Sequence, residues 1–226
     1  MGYSAENLFL QLPELSIPVS LRNKTEPHVT KQQQQAMDLM SGVGFDSSPG
    51  TNFITTSRES SWETSTVHPD TAKELAAWCR NTFNLKFSGV FFVKTKPNSI
   101  GPWHCEGPNL KGRQCALNFM IHGQEGVASA QWGEHKHIDV PPDEIEKHFS
   151  GIVPDTDVNV IGQLHSSLYT PFFYNTACLH RSYNINSDKS RILLSVCVAD
   201  NITVKQIKQM HSNNRLIKST SVASAS

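Results

Sequence analysis

No stretch of this chain approaches the ~20 apolar residues that a helical membrane span requires. Neither sign of charge dominates: 20 basic and 20 acidic residues cancel. With no basic cluster either, general nucleic-acid binding is not expected. The five cysteines are an odd number without framework spacing, which points to reduced thiols rather than a disulfide scaffold. There is no Cys-x-x-Cys pair to build a closed structural zinc site. Gly-x-Ser-x-Gly and the Gly-rich phosphate loop are also missing, which removes two common signatures of hydrolases and nucleotide-binding proteins. The start, Met1 to Glu6, lacks the basic-then-apolar plan of a secretory leader, and Glu6 stands where a myristoylation signal needs Ser or Thr. A cytoplasmic protein without a membrane partner is the expectation.

What the chain does have is a spaced set of metal-ligating residues. His104 and Glu106 stand in Pro102-Trp-His-Cys-Glu-Gly-Pro, and His180 in Cys178-Leu-His-Arg-Ser-Tyr-Asn. In a strand, residues i and i+2 project to one face, so His104 and Glu106 can converge on one ion while Cys105 points away. Two imidazoles and a carboxylate occupy one face of an octahedral ion such as Fe(II) and leave positions open for other ligands. Arg191 follows His180 by eleven residues and opens an apolar run, Ile192 to Val198, that reads as a buried strand. A charge entering such a strand is costly unless an opposite charge meets it. Guanidinium is well shaped to grip a carboxylate through parallel hydrogen bonds.

These residues resemble the Fe(II)- and 2-oxoglutarate-dependent oxygenases, whose pattern is His-x-Asp/Glu, a long gap, His, and an Arg about ten residues on. The flanking Ala116-Leu-Asn-Phe and Tyr174-Asn-Thr are similar too, and the resemblance covers residues 85 to 200. It implies that His104, Glu106 and His180 hold Fe(II) and that Arg191 holds the far carboxylate of 2-oxoglutarate. Ser195, Asn118, Arg113 and Tyr174 are further candidates for that cosubstrate. The branches most similar hydroxylate aspartyl, asparaginyl or prolyl side chains, which implies a peptide or small-molecule substrate. Glu106 stands where Asp is commoner, and Leu193 where several branches carry Ser.

Other readings of the residues stay open. His135 and His137, also two apart, could serve a cupin-type metal enzyme, although their polar, turn-rich surroundings suit exposed histidines. A thiolate from Cys105 or Cys178 would suit zinc better than iron. A barrel of the same shape could also bind a ligand or partner without turnover.

The expected architecture is mainly β with flanking helices: a double-stranded β-helix, or cupin-like jelly roll. One domain accounts for 1–226, with a polar extension over 1–65 wrapping the core, a jelly-roll core over 66–210 and a disordered tail over 211–226. The extension carries Gln32 to Gln35 and a Gly/Ser/Pro stretch from Ser41 to Gly50. Helical spacing predicts a helix from Pro69 to about Phe83, and a second is expected over Ile202 to His211. A short acidic helix or turn is expected over Pro141 to Phe149. Strands are expected over 85–96, 115–122, 128–132, 158–164, 170–175 and 191–198, with Gly123 and Gly126 turning the chain between the second and third.

Overall fold

The structure is a computed structural model that describes residues 5–25, 62–67, 69–106, 114–148 and 151–219. Two antiparallel sheets face each other. The larger runs in the order β1 (Phe9–Gln11), β10 (Pro171–Asn175), β6 (Cys115–His122), β12 (Arg191–Val198), β3 (Phe87–Thr95), β2 (Trp62–Thr66). The smaller runs β8 (Ile152–Val153), β5 (Trp103–His104), β11 (Leu179–Asn184), β7 (Ala128–His135), β9 (Val158–His165), with β4 (Ser99–Ile100) also on β11. Omit the edge pieces, and the strands nest as antiparallel pairs: β3 with β12, β5 with β11, β6 with β10, β7 with β9. Successive pairs alternate between the sheets. This is the double-stranded β-helix, or jelly roll, expected from the sequence.

Sequence pattern explains why the larger sheet is buried on both sides. Along β12, Ile192, Leu194, Val196 and Val198 join the outer core, while Arg191, Leu193 and Ser195 line a cavity between the sheets. That two-sided burial produces an uninterrupted apolar run instead of alternation. The outer core is covered by α1 (Pro69–Thr82), through Leu75 and Cys79, and by α2 (Val204–Ser212), through Val204 and Ile207. Thr203 caps α2 in a reciprocal box with Gln206. Among the described residues, no helix is long and apolar enough to cross a membrane.

Two glycines are needed where they stand. Gly126 has φ +80° in the turn between β6 and β7, a backbone region that costs other residues strain. A Cβ at Gly133 would lie 2.1 Å from Val158 Cγ1 and 3.2 Å from Trp103, so only hydrogen leaves room for those two side chains against β7.

The boundaries expected for the core were too narrow. At the N-terminal side, β1 and β2 form the two edges of the larger sheet, so chain before residue 66 belongs to it. Residues 26–61, which hold the Gln-rich and Gly/Ser/Pro stretches, lie outside the described residues. At the other end, Leu216 is fully buried and Lys218 N donates to Thr82 O, so the chain from 211 to 218 packs on the body instead of trailing as a tail. Its apolar signal is only Leu216 and Ile217, too little for periodicity to register. Residues 220–226 lie outside the described residues.

Candidate metal centre

Strand β5 is only two residues long, yet it is held on both sides. Trp103 and His104 pair with Val153 and Ile152 of β8, and His104 also faces His180 of β11. Alternation then sorts the side chains. Trp103 and Cys105 sink into a small apolar cluster with Ile145, Val153, Val158 and Leu179, while His104 and Glu106 turn to the cavity. Glu106 lies just past the strand, and its backbone N–H donates to Thr176 O at 3.1 Å. The ligating atoms of His104, Glu106 and His180 all lie within 4.8 Å of one another, and no other such group occurs among the described residues.

The tautomer of both rings follows from their partners. Nδ1 of His104 is 2.9 Å from Pro102 O, and Nδ1 of His180 is 2.8 Å from Cys178 O. A carbonyl can only accept, so each Nδ1 carries a proton, and the neutral tautomer this selects has its lone pair on Nε2. Fixing a ligand ring through its second nitrogen is what metal-binding histidines ordinarily require. Burial, together with the neighbouring His104, holds the His180 ring well below the usual imidazole range, against a smaller opposing pull from Cys178 O. It is therefore neutral near pH 7. The donor set, two imidazole nitrogens and one carboxylate with space beside them, fits Fe(II).

The opposite wall comes from the larger sheet: Phe91 and Val93 of β3, Arg191, Leu193 and Ser195 of β12, Ala116 and Asn118 of β6, and Tyr174 of β10. The empty space of the cavity, counting the part open to solvent at its mouth, is about 680 Å³. Arg191 is 3% exposed; its Nη2 donates to Thr95 Oγ1 at 2.8 Å, and its Nε and Nη1 are buried with no acceptor among the described residues. Burial pushes this guanidinium down to about 10, with Tyr174 partly offsetting. Burial also pushes the Tyr174 phenol up, and Arg191 relieves part of that cost. The Tyr174 ring stands edge-on to His180, with centroids 5.0 Å apart.

No family model and no curated relative matches the sequence. Among solved structures, the chain is similar to HygX from Streptomyces hygroscopicus with nickel and 2-oxoglutarate bound, at 10% identity over 86% of this chain and 83% of that one, with TM-score 0.48. It is also similar to a prolyl hydroxylase from Trichoplax adhaerens in complex with a hypoxia inducible factor peptide fragment, at 11% identity over 86% and 84%, TM-score 0.45. A third is the viral collagen prolyl hydroxylase of Paramecium Bursaria Chlorella virus-1, at 11% identity over 86% and 97%, TM-score 0.41. At these scores the likeness assigns neither ligand nor substrate to this chain.

The cavity gathers His104, Glu106, His180, Arg191, Ser195, Asn118 and Tyr174. Arg113 lies outside the described residues. His135 and His137 sit at the end of β7 and beyond it, away from the cavity lining; His135 Nδ1 accepts from His137 N, and His137 Nε2 lies 3.7 Å from Asp157 Oδ1. The thiols of Cys105 and Cys178 pack in apolar clusters and do not line the cavity, which leaves the zinc–thiolate alternative without support. Thr95, Thr176 and Ser182 were not anticipated. The i, i+2 rule that joined His104 to Glu106 would have found Ser182 from His180, had 179–184 been read as a strand.

Proposed function

We propose that this chain is an Fe(II)- and 2-oxoglutarate-dependent oxygenase that hydroxylates an amino-acid or peptide side chain. The observation that carries this reading is the pairing, within one cavity, of a converged His–Glu–His group with a buried arginine whose Nε and Nη1 have no acceptor among the described residues. His104, Glu106 and His180 would hold the metal; Arg191 would hold the carboxylate at the far end of the keto acid. When bound, iron and 2-oxoglutarate supply oxidative decarboxylation coupled to insertion of oxygen into a C–H bond. The protein's own share is orientation and exclusion of water. Carbonyls of Pro102 and Cys178 lock the two imidazoles with Nε2 toward the cavity. Phe91, Val93, Leu193 and Ala130 supply apolar lining, so a charge pair formed there is poorly screened.

The test is O₂-dependent release of succinate from 2-oxoglutarate by the iron-loaded protein, with amino-acid and peptide pools as co-reactants. Turnover stimulated by one pool supports the reading and names the substrate class. Absence of 2-oxoglutarate binding by metal-loaded protein would instead favour a barrel that binds without turnover.

A further inference from the structure

One row of register partners crosses the smaller sheet at the level of the His–Glu–His group: Gly162, Trp132, His180, His104 and Ile152, on β9, β7, β11, β5 and β8. Directly opposed residues of antiparallel strands share a face, so the whole row looks into the space between the sheets. One end of the row is closed. A Cβ at Gly162 would meet Leu8 Cδ1 at 2.4 Å, and Phe9 stacks on Trp132 with ring centroids 5.4 Å apart. Exposure then rises along the row, from 0% at Trp132 through 5% at His180 to 54% at Ile152. The space beside the two imidazoles therefore opens toward β8.

An exposed apolar side chain needs no explanation by itself. Ile152 differs in where it stands. Val153, the next residue, is buried with Trp103 in the apolar cluster on the other face of the sheet, which fixes Ile152 on the cavity side. Cβ atoms of cross-strand partners lie about 5 Å apart, so Ile152 adjoins His104. A molecule that reaches the imidazoles from the open end comes within van der Waals range of Ile152. Across the gap, Phe91 and Val93 of β3 line the cavity and are only half-buried. Both sheets thus contribute apolar side chains to the approach, and Ile152 offers neither charge nor hydrogen bond.

We propose that Ile152 is a specificity-determining residue that receives an apolar side chain flanking the carbon to be oxidised. This rests on the oxygenase reading above and deepens it by naming a substrate class: a peptide with an aliphatic or aromatic neighbour beside the target residue. Removing that neighbour and Ile152 from water favours binding in proportion to the apolar area covered. A charged or polar neighbour gains nothing there and loses its hydration.

Methyl NMR of the full chain tests this, with isotope-labelled isoleucine methyls and with Zn(II) and 2-oxoglutarate bound; Ile152→Val assigns the Ile152 signal. The probes are acetylated tripeptides with Asp, Asn or Pro at the centre, flanked by Leu in one pool and by Ser in the other. Leucine-flanked peptides should move the Ile152 methyl signal and bind about tenfold or more tightly than serine-flanked ones. Val and Thr match in shape and differ in polarity. Ile152→Val should therefore keep the affinity for leucine-flanked peptides within about threefold, whereas Ile152→Thr should lose about tenfold. With iron in place of zinc, Ile152→Thr should raise KM for peptide-stimulated succinate release and leave kcat nearly unchanged. An Ile152 signal that no peptide moves, equal affinity for the two pools, or equal loss in both variants overturns the proposal. A parallel loss of 2-oxoglutarate affinity in Ile152→Thr also overturns it, since that marks a structural role. Failure of the oxygenase reading itself looks different: the Zn(II)-loaded wild type would bind no 2-oxoglutarate at all.

Discussion

His104 and His180 are register partners across β5 and β11, and their ring centroids lie 4.4 Å apart. One strand pairing thus sets the spacing of two candidate ligands separated by 76 residues of chain. Either His→Ala change, or Glu106→Gln, should weaken metal binding by more than the roughly 10–100-fold lost when only a ligand's outer partner is removed. Metal titration followed by calorimetry checks this, with far-UV circular dichroism to show that the fold persists. Equal metal occupancy in wild type and both alanine variants would contradict the assignment.

Arg191 should show opposite effects on stability and binding. Its charge is buried with two nitrogen atoms unsatisfied among the described residues, so Arg191→Met is expected to leave the apo fold unchanged or stabilise it by about 1–4 kcal/mol. The same change should weaken 2-oxoglutarate binding by roughly 30-fold or more, with metal affinity nearly intact. Arg191→Lys should recover only part, since an ammonium cannot reproduce the planar fork. Apo melting and ligand titration on one preparation decide the matter.

Beside His180, Arg181 ties the smaller sheet together from its other face. Its Nε and Nη2 donate to Gln131 Oε1, at 2.9 and 2.8 Å, and the guanidinium lies 4.2 Å over the Trp103 ring. Gln131→Leu leaves two buried guanidinium N–H groups short of an acceptor and should cost about 1.5–3 kcal/mol, read from urea denaturation. Asp155 also pairs with Arg181, but its side chain is 72% exposed, so Asp155→Asn should cost no more than about 1 kcal/mol.

Alkaline pH should destabilise the fold through its thiols. Burial pushes Cys79 and Cys115 from the ordinary 9.0 up to about 12. A raised acid is protonated in the folded state where the unfolded chain has already ionised. Its contribution is complete below pH 9 and is lost as pH rises toward 12. Denaturation midpoints measured from pH 8.5 to 10.5 should fall, and the slope should be shallower in Cys79→Ala and Cys115→Ala. Parallel slopes in wild type and variants would show that the thiols are not responsible.

Long, two-sided strands were legible in the sequence. Cys115–His122 and Arg191–Val198 match their expected limits because burial on both faces leaves an unbroken apolar run. That His104, Glu106 and His180 converge, and that Arg191 is buried, was expected from their spacing, the apolar run after Arg191 and the family resemblance. Strand β11 was not, since Leu-His-Arg-Ser-Tyr-Asn shows no apolar run; its outer face is satisfied by the Arg181 network instead of by hydrophobic packing. Nor were the two-residue strands β4 and β8, whose pairing depends wholly on neighbours distant in sequence. The Thr95 contact of Arg191 comes from cross-strand register, which no local pattern encodes.

Strand β12 divides its residues between two duties, with Ile192, Leu194, Val196 and Val198 in the outer core and Arg191, Leu193 and Ser195 toward the cavity. Tolerance to substitution along this segment should therefore beat with a period of two. Changes at the even positions would reduce the amount of folded protein, while changes at 191, 193 and 195 would leave it abundant but altered in what it binds. Selection for a new ligand can then act on one set without eroding the other, provided no residue is inserted or deleted. A single-residue slip exchanges the two faces and forfeits both duties at once.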